Sequence, residues 1–109
     1  MTFKVKNPIQ VGGMSYKIEL VDTCGSDAKG NVGTCNNEKL LIKIATQSSD
    51  GTPRAREYIE ECIWHELLHA IENVFGADIP EEKIESFAQG LFQISRQVDS
   101  HFLSEDAPV

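Results

Sequence analysis

The sequence predicts a small α+β domain, with an antiparallel or mixed sheet of three to four strands packed on two helices. Three observations carry this expectation. Before residue 50 the apolar residues recur with period two, after Pro53 they recur with the period of a helix, and Gly76 and Pro80 divide the helical half in two. The chain accordingly divides into a β-rich part (1–46), a first helix (53–76), a second helix (80–99) and a frayed tail (100–109).

In the β-rich part, Ile9 to Val11 and Tyr16 to Leu20 flank Gly12 and Gly13, a pair suited to the positive φ angles of a tight hairpin turn. Tyr16, Ile18 and Leu20 alternate with Lys17 and Glu19, as a strand with one buried face requires. Residues 22–37, DTCGSDAKGNVGTCNN, are rich in Gly, Asp and Asn and read as a long polar loop. A third strand follows over residues 38–46, with Leu40, Ile42 and Ile44 on one side. Its edge is expected to accept an extended substrate by strand addition.

For the first helix, Thr52 is the expected N-cap, Pro53 the first helical residue and Gly76 the C-terminal stop. The second helix should begin near Pro80 with Glu81 and Glu82 in its first turn, where the helix dipole favours carboxylates. Its expected buried face is Ile84, Phe87, Ala88, Leu91, Ile94, Ser95 and Val98.

A length of 109 residues suits one domain. With 40% hydrophobic and 25% charged residues, the composition is that of a folded globular chain. Seventeen carboxylates against ten Lys and Arg give a net charge of -7, which repels phosphate and excludes nucleic acid as the expected partner. No apolar run reaches the ~18 residues of a membrane span. The opening MTFKVKNPIQVGG lacks a signal-peptide core, so the expected compartment is the cytoplasm. Cys24, Cys35 and Cys62 are odd in number and are expected as free thiols there, a Cys24–Cys35 bridge or half metal site being the alternative.

The chemistry concentrates in HELLH, residues 65–69. With His65 at zero on a helical wheel, Ile59, Ile63, Leu67, Ala70 and Val74 fall between about 120° and 200°, and Trp64, Leu68, Ile71 and Phe75 extend the arc to about 300°. His65 and His69, at about 0° and 40°, lie outside that arc with Tyr58, Cys62 and Glu72. Residues four apart stand one turn above each other, so two imidazoles can grip one ion while Glu66 serves as general base toward a water at the open coordination position. The bland alternative is a solvated helix face with two unrelated histidines.

A catalytic zinc usually takes a third protein ligand. HExxHxxGxxH is absent, because Glu72 stands at its glycine and Phe75 at its last histidine. The candidates are Asp78, Glu81, Glu82, Glu85, His101 and the cysteines 24 and 35. On the second helix Glu81 lies about 60° from Ile84, Glu85 about 100° and Glu82 about 160°, so Glu81 is best aimed inward. Tyr58, Asn73 or the 22–37 loop are candidate oxyanion donors.

IQVGG from Ile9, the strand Tyr16 to Leu20, LIKIA from Leu41, HELLHA from His65 and EEKIESFAQGLF from Glu81 together resemble the small gluzincin-type zinc metallopeptidases called minigluzincins. They are also similar to short phage-encoded proteins with the same order of hairpin, strand, HExLHA and acidic helix. The resemblance implies a zincin-like sheet backing the active-site helix, with Zn2+ on His65, His69 and a glutamate of the next helix. It also implies Glu66 as base and acid. EEKIESFA is similar to the ExxxNxFA segment of peptidases that cleave phage repressors, which points to Glu81 as ligand, with Glu85 standing at the asparagine. The implied activity is hydrolysis of a peptide or protein substrate, in the host cytoplasm if the chain is phage-encoded. The rival is a non-catalytic or latent zinc-binding module that regulates a partner, with the tail SEDAPV or His101 folding back on the ion in the latent form.

Overall fold

The computed structural model describes residues 3–22 and 32–105. Along them run β1 (Phe3–Val5), β2 (Ile9–Val11), β3 (Met14–Val21), β4 (Gly33–Asn36), β5 (Leu41–Ala45), α1 (Arg56–Phe75), α2 (Glu81–Gln97) and β6 (Leu103–Glu105). The architecture is α+β. A four-stranded mixed sheet has the order β2-β3-β5-β4, and β1 pairs with β6 in a separate antiparallel ribbon.

The hairpin forms as its glycines require, with Val11 opposite Met14 and Gly12 alone of the pair taking a left-handed φ of 59°. A Cβ on Gly12 would lie 2.6 Å from Val74 Cγ1, so the turn rests directly on the C-terminal end of α1. β3 runs parallel to β5, with Ile18 opposite Ile42 and Leu20 opposite Ile44. Ile18, Ile42 and Ile44 are fully buried, the outcome of period-two patterning with one face on a core.

Residues 22–37, expected to be loop throughout, contain β4, which pairs antiparallel with β5 through Cys35 opposite Ile42. The β5 strand makes the difference: its second edge offers unpaired backbone groups that Gly33–Asn36 satisfies, a long-range partner that local composition does not report. β5 is therefore internal, and the edge strand of this sheet beside α1 is β4, not residues 40–46. Leu40, expected on the strand's apolar side, sits in the turn before β5 with a left-handed φ of 54°. Cys24 lies outside the described residues.

α1 starts at Arg56 with Ala55 as N-cap, not at Pro53. Thr52 and Pro53 are held in a closed turn. Gln47 bridges Pro53, Thr52 O accepts from Ser48 N at 2.8 Å and Thr46 O accepts from Arg54 N at 2.8 Å. Gly76 ends the helix as expected, at φ 67° with its N–H on Glu72 O.

α1 lies between two layers. Ile59, Cys62, Ile63, Leu67 and Ala70 pack on the sheet, while Leu68, with Trp64 and Ile71 beside it, packs on Ile84 and Ala88 of α2. Cys62, expected outside the apolar arc, is in the core. The long apolar arc of α1 is thus two faces meeting two partners. α2 begins beside Pro80 as expected, but Phe87, Ile94 and Val98, expected to be buried, are all exposed. α2 packs mainly on α1, which covers only the narrow stripe of Ile84, Ala88, Leu91 and Ser95.

The tail does not fray at residue 100. Glu60, buried in α1 at 2% exposure, accepts from Phe102 N at 3.1 Å and Leu103 N at 2.8 Å. Arg56 Nη2 donates to Leu103 O at 2.8 Å. Leu103 enters the core, and β6 then pairs with β1 with Val5 opposite Leu103. No described helix is long and apolar enough to cross a membrane.

Glu60→Ala strands two N–H groups against the core and is expected to cost about 3 kcal/mol in urea unfolding, at ~1–3 kcal/mol for each unsatisfied buried group. Leu103 amide exchange should accelerate with it. A loss under about 0.5 kcal/mol, the range of an ordinary surface substitution, would show that Glu60 does not hold β6.

Candidate metal centre

His65 and His69 stand one turn apart on α1, on the side between the sheet-facing and α2-facing stripes. Their ring centroids are 5.2 Å apart and the planes are tilted by 59°. The turn from Gly76 to Pro80 reverses the chain and sets the first residue of α2 against them. His65 Nε2 lies 3.1 Å from Glu81 Oε1, and His69 Nε2 lies 3.6 Å from Glu81 Oε2. Among the described residues, His65, His69 and Glu81 form a group whose ligand atoms all lie within 4.8 Å of one another.

These separations suit an ion. Donors bound at ~2.0–2.1 Å around a tetrahedral zinc are about 3.3 Å from each other. An imidazole–carboxylate hydrogen bond accounts for the 3.1 Å His65 contact, while the 3.6 Å His69 contact is longer than a hydrogen bond.

His69 is oriented from behind. Its Nδ1 lies 2.9 Å from Glu72 Oε1, and Glu72 Oε2 accepts from Ile79 N at 3.0 Å. The Ile79 amide, with His69 assisting, holds the Glu72 carboxyl below the usual carboxylate range. An ionised Glu72 can accept a hydrogen bond from Nδ1–H of His69, and in that tautomer Nε2 carries the lone pair, the arrangement that metal-binding histidines use. From the sequence Glu72 carries no expected role, lying outside the apolar arc and at the glycine position of the absent HExxHxxGxxH pattern. Its i,i+3 spacing from His69 is the signal that could have marked it.

Glu66 is buried, with 7% exposure, on the margin of the sheet-facing stripe. Burial pushes its carboxyl up, His65 and His69 oppose that, and Glu81 adds to it. Gly33 of β4 lies over it, and a Cβ there would stand 3.0 Å from Glu66 Cγ and 3.1 Å from Oε2. β4 therefore passes close to Glu66 because residue 33 has no side chain.

Two cavities open on either side of Glu66 and His69. One of about 350 Å³ contains His65, Glu81, Tyr58, Glu61 and Glu85 in its wall. The other, about 480 Å³, is lined by Cys35, Asn37, Glu66, His69, Glu72 and Asn73. Of the candidate oxyanion donors, Tyr58 and Asn73 thus occupy different cavities. Burial raises the Tyr58 hydroxyl above its ordinary pKa, keeping it a donor.

The other ligand candidates are not in the group. Glu85 lines the first cavity without joining it, and Glu82 and Asp78 line neither. His101 sits in a separate cleft with Arg56, Glu57, Glu60, Phe92 and Arg96, 3.3 Å from Asp99. Cys35 is a free thiol that donates to Asn37 Oδ1 at 3.3 Å, and burial, then the Glu66 charge, pushes it up to about 11.

No protein-family model, curated protein or solved structure matches this chain.

Two outcomes are expected from zinc titration of the purified protein. Glu72→Ala lowers affinity by ~10–100-fold through the loss of His69 orientation, while His101→Ala leaves it unchanged. Equal affinities for Glu72→Ala and wild type would remove Glu72 from the centre. Gly33→Ala should bind zinc normally yet displace Glu66, visible as altered Glu66 side-chain resonances; unaltered resonances would show that β4 yields instead.

Proposed function

We propose that this chain is a zinc-dependent metallopeptidase, with His65, His69 and Glu81 as ligands and Glu66 as the general base and acid. The observation that carries the reading is the convergence of both Nε2 atoms on one carboxylate, with a buried glutamate beside them and open space on both sides. Bound zinc would supply Lewis-acid polarisation of the scissile carbonyl and would acidify the attacking water. Glu66 takes the proton of that water and later delivers it to the leaving amine, a task suited to a carboxyl raised by burial. Glu72 keeps the Nε2 of His69 available for coordination throughout.

The rival reading is a zinc that only staples a small domain, or a module that regulates a partner. A structural zinc is normally closed by four protein ligands. Here three donors converge among the described residues, Glu81 is 67% exposed in its side chain, and the group lies outside both apolar clusters. These features support an open, reactive site.

Glu66→Gln should bind one zinc with wild-type affinity and lose at least ~100-fold in cleavage of a mixed peptide library followed by mass spectrometry, the lower end of what a positioned acid–base contributes. His65→Ala should lose both zinc and cleavage. Equal cleavage by Glu66→Gln and wild type, or none by zinc-loaded wild type, would overturn the enzymatic reading.

A further inference from the structure

The larger cavity holds a feature that metal binding does not use. Tyr16 of β3 is fully buried, yet its hydroxyl reaches the cavity wall. It donates to Asn37 Oδ1 at 2.8 Å and accepts from Asn73 Nδ2 at 3.3 Å. Cys35 gives Asn37 Oδ1 a second donor. One phenol thus fixes two amides carried by different elements, the turn after β4 and the last turns of α1.

The hydrogen-bond inventory leaves a complementary pair. Asn37 has spent its oxygen and retains Nδ2–H, and Asn73 has spent one N–H and retains Oδ1. Among the described residues neither remaining group has a partner. A donor and an acceptor on one cavity wall match the N–H and C=O of a single residue in an extended chain, which point to the same side, whereas those of one trans peptide group point oppositely. Asn73 lies four residues beyond His69, about 6 Å along the helix, which an extended peptide covers in about two residues. β4 carries Gly33 beside Glu66 and Cys35 in the cavity wall, with Asn37 just beyond its end, so a chain following that strand meets the metal group and then the two amides.

We infer that Asn37 and Asn73, locked by Tyr16, clamp the N–H and C=O of one substrate residue about two residues from the bond that reacts. The inference rests on the metallopeptidase reading for its substrate class. It makes these residues specificity-determining for an extended main chain rather than for a particular side chain.

The test uses zinc-loaded Glu66→Gln and the tightest-binding blocked hexapeptide selected on it from a random pool. Each peptide group is replaced in turn by an ester, which lacks the N–H that Asn73 Oδ1 would accept, and affinity is measured by calorimetry. One ester, and only one near that spacing, should bind ~10-fold more weakly than the amide, the scale of one hydrogen bond. Asn73→Ala added to this background should weaken the amide peptide to the level of that ester and abolish the difference between them, with zinc stoichiometry unchanged. A merely structural role for Asn73 would lower all affinities while preserving the discrimination, and that result overturns the clamp, as does a pool that yields no binder. If the clamp behaves as expected while zinc-loaded wild type cleaves nothing, the hydrolytic reading alone has failed.

Discussion

One carboxylate, that of Glu72, joins the two halves of the proposed centre. Its Oε1 faces His69 Nδ1 and its Oε2 accepts from Ile79 N, so it orients a ring on α1 and holds the turn from which α2 departs. Glu81 is two residues past Ile79, and its position follows from that turn. The left-handed Gly76 lets the helix end close enough for Glu72 to reach forward, because a side chain at that φ of 67° would be strained. The two imidazoles are set by helical period, whereas the third donor depends on this turn and on the packing of Ile84 and Ala88 against α1.

The same division separates what could be read in the residues from what could not. HELLH on a helix, Glu81 as the inward carboxylate of the next one, the hairpin at Gly12 and the α+β order all follow from spacing, and spacing is local. β4 and β6 do not follow from it. Gly33–Asn36 is polar and glycine-rich, and becomes a strand because the edge of β5 is there to pair with it. Leu103 is drawn in by Glu60, forty-three positions earlier, a buried acid that no periodicity singles out. Phe87, Ile94 and Val98 fail for the opposite reason: an apolar stripe reads as buried, but burial needs a covering neighbour, and among the described residues these three stay exposed.

Placing α1 between the sheet and α2 also explains why its polar residues diverge in character. Glu60 and Glu66 are six residues apart and both buried, yet Glu60 accepts two backbone N–H groups while no such donor meets Glu66 among the described residues. Burial pushes the Glu66 carboxyl up. Glu60 thus serves the fold, and Glu66 is the acid that the proposed chemistry draws on.

The electrostatics around the histidines carry the argument one step further. Glu61, Glu66, Glu72, Glu81 and Glu85 line the two cavities, and among the described residues no Lys or Arg does. Acidic clusters on a chain of net charge -7 are ordinary in themselves. This one differs in that two of its carboxylates face imidazoles, Glu72 at the Nδ1 of His69 and Glu81 at both Nε2 atoms. On the metallopeptidase reading the complement of such a group is a small divalent ion, and two imidazoles among the carboxylates favour zinc over the calcium or magnesium that an all-oxygen set would select.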